Sequence, residues 1–194
     1  MVTVTAEKIT GEADYEGVRV KFIGNLGNAV INMQVDIGFG DVVYPAPSDM
    51  ELPSMLDFPH AHLLCYSRES PVAEKFQAMV YIGNANSRMK DFYDIYTLSR
   101  QFNFVSDTFA EAIRLTFKNR GTEIPLSTTS FTGEFIAAKG TQWNSFHKKL
   151  GQDHVPKEFS TIVENCEKFL SPISKAIITG QKLPKVWVAP GPWS

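Results

Sequence analysis

The alternation of apolar and polar positions changes period about a third of the way along the chain. Val18, Val20 and Phe22 alternate with Arg19 and Lys21, and this period of two predicts a strand. Asn25-Leu26-Gly27-Asn28 is a turn cluster in which Gly27-Asn28 suits a tight hairpin. Successive strand side chains point to opposite faces. The returning strand therefore sets Ala29, Ile31, Met33, Val35 and Ile37 on one side, and Val30, Asn32, Gln34 and Asp36 on the other. Asp36 is expected on a mostly polar face backed by an apolar one, and Gly38-Phe39-Gly40-Asp41 ends the strand. From 44 to 60, Pro45, Pro47, Pro53 and Pro59 exclude a regular helix and imply an extended crossing segment.

From Ser70 onward the period is helical. Ser70 is the expected N-cap of a first helix, with Pro71 at its first position. Val72, Phe76, Met79 and Val80 form its apolar stripe, and Gly83-Asn84 ends it. Ser87 is the expected cap of a second helix running to about Phe102. Thr108-Phe109-Ala110-Glu111 has the form of a capping box for a third. Beyond Pro125, helical segments follow from about Phe131 to Leu150 and from Pro156 to Thr179, and the tail from Leu183 to Ser194 is expected to be extended. Strands first and helices after predict an α+β fold: a β region over 1–60 and a helical lobe over 61–194, with the boundary in the proline-bearing stretch.

Composition narrows the class. The chain has 194 residues, 43% of them hydrophobic and 21% charged, which is enough for one ordinary domain or two small lobes with a core. A net charge of -2 removes any global basic field, so an anion site must be local. Cys65 and Cys166 are far apart and lack CxxC spacing, which argues against a disulfide scaffold or zinc site and fits a reducing cytoplasm. No stretch approaches the length of a membrane span, and the first residues lack the apolar core of a signal peptide.

Four acids and bases stand out. Asp36, on the polar face of its strand, is placed to meet a hard divalent cation; the plainer reading is a solvent-facing acid. Lys75 lies beside the Val72/Phe76/Met79 stripe, so it can aim its ammonium into a cleft at a phosphate, or snorkel along the stripe's edge. Asp91 and Asp94 are three apart and share one flank of a helix that is apolar nearly all round. A carboxylate there needs a partner, which Lys75, Arg88 or a metal would supply. Alternatively, Asp91 serves only the helix dipole from the first turn. His60-x-His62 is a weak metal signal, and no GxGxxG, P-loop or GxSxG motif is present.

Four runs taken together resemble one family. They are Gln34-Val35-Asp36-Ile37-Gly38-Phe39-Gly40-Asp41, Leu56-Asp57-Phe58-Pro59, Val72-Ala73-Glu74-Lys75-Phe76-Gln77-Ala78, and Asn86-Ser87-Arg88-Met89-Lys90-Asp91-Phe92-Tyr93-Asp94. In this order they are similar to the AbiEii/AbiGii nucleotidyltransferase toxins. Trp143, Pro156, Phe159, Pro172 and the ending from Trp187 to Trp193 are similar to the C-terminal part of a long subfamily. The resemblance implies a DNA polymerase β-like nucleotidyltransferase fold and a toxin of a toxin–antitoxin or phage-defence pair. It implies Mg²⁺-dependent transfer of a nucleotidyl group from an NTP to RNA or protein in the cytoplasm. It assigns Asp36 as the third carboxylate of the catalytic core and a metal ligand. Lys75 matches the lysine at the nucleotide phosphates, Asp91 the late catalytic aspartate, Asp94 its companion, and Arg88 a further phosphate contact.

Family members open with a Gly-Ser motif and a paired Asp-x-Asp motif, and neither is found before Asp36. The expectation is a chain that is catalytically incomplete alone. It would be a fragment, one half of a split enzyme, or a non-catalytic module binding a partner such as an antitoxin or complementing fragment. A sheet lacking its opening strands is also expected to expose an apolar face or edge, and so to self-associate or bind a partner there.

Overall fold

The computed structural model describes residues 3–9 and 17–194. It divides into two compact units, one ending at Asp41 and one running Val42–Ser194. The fold is α+β, as the sequence implies, with antiparallel strands first and the helices after them.

The first unit is an antiparallel sheet in the order β1-β2-β3, with β1 Thr3–Lys8, β2 Gly17–Leu26 and β3 Ala29–Gly38. Gly27, at φ 59°, takes the first central position of the β2–β3 loop, where a type II′ turn needs glycine. That two-residue loop fixes the register and pairs Arg19 with Asp36 and Val20 with Val35. One face carries Ala6, Val20 and Val35 in a row and Val4, Phe22 and Met33 in the next. The other carries Glu7, Arg19 and Asp36, then Thr5, Lys21 and Gln34. The expected polar and apolar faces of β3 are therefore both present. Among the described residues of this unit no second layer packs on the apolar face, and Val4, Met33, Val35 and Ile37 are exposed.

The second unit begins with the proline-bearing stretch. It holds no helix; instead β4 Ser48–Leu52 and β5 Ala61–Cys65 pair antiparallel. The helices follow: α1 Glu69–Ile82, α2 Met89–Gln101, α3 Ser106–Asn119, α4 Gly133–Leu150 and α5 Phe159–Thr179. Two short strands, β6 Phe104–Val105 and β7 Val186–Trp187, tie the C-terminal tail to the turn between α2 and α3.

The caps differ from the sequence expectation. α1 starts one residue before Ser70, and Ser70 Oγ instead donates to the Tyr44 carbonyl and accepts from its N–H. A serine at a helix start that is met by an extended backbone finds better partners there than in its own first turn. The start of α2 is held by Asn86, whose Oδ1 accepts from the Arg88 N–H at 2.8 Å, rather than by Ser87. α3 begins at Ser106, before Thr108, so no capping box forms and Glu111 pairs with Arg114 within the helix.

Aromatic side chains build the core between these helices. Phe92 of α2 meets Phe135 of α4 and Phe159 of α5, and Trp143 stacks on Phe159 while donating from Nε1 to the Lys157 carbonyl. At the other end of α5, Phe169 touches Phe104, Phe109, Trp187 and Trp193. Trp187 donates to the Ser99 carbonyl at 2.6 Å, fixing the last turn of α2. Phe169 is the hub of this second cluster, so Phe169→Ala is expected to cost about 3–5 kcal/mol in urea unfolding, and Phe169→Leu much less. Equal losses in the two variants would deny Phe169 that place.

Candidate functional site

α1 and α2 run through the core of the second unit and present polar groups to each other along one edge. On α1, Val72, Phe76 and Met79 are buried, which leaves Lys75 half-buried at the margin of the stripe. On α2, Phe92 and Ile95 are buried, and Asp91 and Asp94 flank them at the same margin. Lys75 Nζ lies 3.0 Å from Asp91 Oδ1 and 2.9 Å from Asp94 Oδ2. The Lys75, Asp91 and Asp94 side chains keep 23%, 14% and 17% of their exposure, so water screens this group only partly. Lys90 approaches Asp94 from the solvent side at 2.6 Å, the i,i+4 neighbour that closes a four-membered charge group.

Of the partners left open for Asp91, Lys75 is the one in place. Burial pulls the Lys75 ammonium down, but the carboxylates of Asp94 and Asp91 more than offset this, and its pKa is raised. A raised ammonium pKa stabilises the fold fully below the unfolded lysine value, and this contribution is lost only as pH rises through the folded value. Lys75 is therefore charged throughout the neutral range.

Arg88 stands at the entry to α2 with its side chain exposed, and it has no acidic partner among the described residues. With the first turn of α2 and the facing side of α4 it lines a groove of about 730 Å³ that reaches Asp91.

Asp36 belongs to the first unit. Arg19 holds it bidentately, Nε to Oδ1 at 2.8 Å and Nη2 to Oδ2 at 2.9 Å, and the Gln34 amide also donates to it. The Arg19 hydrogen bond, opposed by desolvation and aided by the Arg19 charge and the Gln34 amide, holds its carboxyl below the usual range. A metal ion at Asp36 would have to displace the guanidinium. No group of three or more His, Cys, Asp and Glu able to hold a metal occurs among the described residues. As they stand, the described residues do not fit a divalent cation. His60 of the His-x-His pair is taken by Glu51 across the β4–β5 hairpin. Cys166 is buried, which pushes its thiol well above the ordinary range and leaves it inert. No helix among the described residues is long and apolar enough to cross a membrane.

Two residues escaped the sequence reading. Lys90 was signalled by its i,i+4 spacing to Asp94. Arg19 was signalled by the hairpin register, which follows from a two-residue loop at Gly27-Asn28.

Lys75→Met is expected to leave the half-buried Asp91 without its cation and Asp94 with Lys90 alone, and to lower stability by about 1–3 kcal/mol at neutral pH. Lys75→Met combined with Asp91→Asn is expected to cost less than the two single changes added together, as equilibrium unfolding of the four proteins would measure. Additive losses would mean that the two side chains do not interact. Arg19→Ala is expected to return the Asp36 carboxyl upward toward the ordinary aspartate range. Carbon NMR of the labelled side chain reads this directly, and an unmoved titration would contradict the pairing.

No curated protein and no solved structure matches the chain. The profile of the family described as nucleotidyl transferase AbiEii toxin, Type IV TA system, matches residues 1–165. This span includes the sheet, the Lys75–Asp91–Asp94 group and α4, and it covers most of the 194 residues. The chain belongs to the AbiEii nucleotidyl transferase toxin family.

Proposed function

We propose that this chain carries the lysine–carboxylate portion of a nucleotidyl-transfer site. Lys75 steadies the phosphates of an NTP, Asp91 and Asp94 orient its ammonium, and Arg88 adds a phosphate contact. Asp36, on β3 of the first unit, is the acid that matches the family pattern. The observation that supports this most is the Lys75 ammonium set between two carboxylates of the next helix. A long, flexible cation so held points in one direction before any ligand arrives, which lowers the ordering cost of binding. In the transfer itself an acceptor hydroxyl, on RNA or protein, attacks the α-phosphorus and pyrophosphate leaves.

The family generally uses a divalent ion, Mg²⁺ being the expected one, which would neutralise phosphate charge. The residues of this chain supply other parts. Lys75 and Arg88 bring positive charge to the phosphates, and the buried packing of Phe76 and Phe92 keeps the Lys75 pair at fixed spacing. The type IV toxin–antitoxin family implies a cognate antitoxin as partner and the cytoplasm as the setting. Titration with a fluorescent NTP analogue tests the reading: Lys75→Ala should weaken binding by about tenfold or more, whereas Lys168→Ala on α5 should not. Equal affinity in wild type and Lys75→Ala would sink it.

A second reading rests on the β4–β5 hairpin. Met50, Leu52 and Leu63 are exposed on its strands, and Met55, Leu56 and Phe58 are exposed in its connection. A two-stranded hairpin with uncovered apolar side chains is marginal in water, which favours a binding role in self-association or in holding an antitoxin or complementing fragment. A chain that binds no NTP analogue and yet self-associates in light scattering favours this non-catalytic module.

A further inference from the structure

The chain that follows α5 folds back over the start of α3. α5 ends at Thr179, and Gly180, at φ 66°, turns the backbone in the left-handed conformation that suits a helix end. Val186 then pairs with Val105, and the Lys185 carbonyl accepts from the Ser106 N–H at 3.2 Å. Trp187, buried and bonded to the Ser99 carbonyl, holds the returning strand in place. Between the last turn of α5, residues 180–185 and the first turn of α3 lies a cavity of about 400 Å³. None of its lining residues belongs to the Lys75 group. The wall it takes from residues 176–185 lies past residue 165, beyond the family span.

Ser106, which lines the cavity, is 2% exposed, and its hydroxyl makes no hydrogen bond among the described residues. A buried hydroxyl is costly unless a partner answers it. Ser106 is also the first residue of a 14-residue helix that begins without a side-chain cap. Its own N–H goes to Lys185, but the N–H groups after it have no helical carbonyl before them. They gather partial positive charge at this end of α3. Lys182 and Lys185 line the tail side, and neither pairs with an acid among the described residues. Arg114 lines the α3 side, held only by an exposed pair with Glu111 at 3.3 Å. Asp107 is the single acid of the lining, so a helix start, an unanswered hydroxyl and three cations face one carboxylate.

We infer that this cavity binds the phosphate group of a small molecule. The Ser106 hydroxyl and the first-turn N–H groups of α3 donate to its oxygens, and Lys182, Lys185 and Arg114 balance its charge. Donors from a helix end on one side and from the tail on the other suit a tetrahedral group, with oxygens on several sides, better than a flat carboxylate. Two or more negative charges are also needed to outweigh Asp107. Ile177, Leu183 and Pro184 make the rest of the wall apolar and give room for an organic residue carrying the phosphate. The site shares no side chain with the Lys75 group, so it stands whether or not Lys75 binds a nucleotide.

The test uses the full chain, labelled at its amide nitrogens for NMR and titrated with sodium phosphate or with ribose 5-phosphate at constant ionic strength. In wild type the amides of Asp107, Thr108, Gln181 and Lys182 shift together and saturate with one midpoint. Ser106→Ala raises that midpoint about threefold, and Lys182→Glu combined with Lys185→Glu raises it by about tenfold or more. Lys148→Glu on α4 and Lys75→Ala leave it within about twofold of wild type. Asp107→Asn, which removes the opposing charge, lowers the midpoint, an effect that a merely structural role for Asp107 would not produce. A lower midpoint for ribose 5-phosphate than for phosphate assigns the site to a phosphate monoester, and equal midpoints assign it to the free ion. Absence of saturating shifts at the start of α3 in wild type overturns the site, as does an unchanged midpoint in the double lysine variant. Equal shifts with sodium acetate reveal charge screening alone and overturn it as well. Shifts confined to Lys75 and its neighbours, and lost in Lys75→Ala, put the phosphate elsewhere and refute this cavity while supporting the nucleotide reading.

Discussion

An ammonium ion that is mostly out of water must be surrounded by negative charge, and the arrangement of α1 against α2 follows from that constraint. Lys75 retains less than a quarter of its side-chain exposure. Alone it would shed its proton or stay out of the packed edge. Asp91 and Asp94 remove that penalty together, one on each side of the Nζ. Asp91 in turn has Lys75 as its cation, while Asp94 shares it and is also met by Lys90 from the solvent side. The pair of helices therefore has one favourable rotation about their common axis, the one that brings these three groups together.

The aromatic packing makes that rotation rigid. Phe92 and Ile95 lie on the buried side of α2, and Phe92 is held by rings from both α4 and α5. Phe76 of α1 meets Phe117 of α3. Turning either helix enough to separate Lys75 from the acids would pull these rings from a close-packed core, which costs far more than the ion pair returns. At the far end of α2, Trp187 and Asn165 hold Ser99. The acids near the start of the helix are thus fixed by contacts made along its whole length.

Much of this was legible from periodicity. The stripe Val72/Phe76/Met79 puts Lys75 at its margin, and Asp91 on a helix apolar nearly all round pointed either to a partner (Lys75, Arg88 or a metal) or to the helix dipole alone. The α+β order and the two faces of β3 followed from the switch between periods of two and of 3.6. The helix starts were not legible: Ser70 has the chemistry of a cap but its competitor is tertiary, and α3 starts at Ser106, ahead of Thr108. Ser70 is claimed by the Tyr44 backbone, 26 residues earlier. The groove along α4 was also hidden. Nothing in the spacing along the chain says that α4 lies beside the start of α2.

Asp36 and Asp91, both singled out in the sequence, end in opposite circumstances, and burial is what separates them. Asp36 and Arg19 make a bidentate pair of good geometry on an open sheet, where water solvates both groups nearly as well as they solvate each other. Such a pair holds position but resists little: a stronger cation or an anion competing for the guanidinium can part it without disturbing the strands. Asp91 and Lys75 make a single contact of ordinary length inside a packed edge. Parting them strands a charge in a poorly screened place, so a ligand that takes the ammonium from Asp91 must bring its own negative charge to the same spot. A phosphate does this, and a neutral ligand does not. The better-looking ion pair is thus the dispensable one, and the half-buried lysine is the group whose environment selects for an anion.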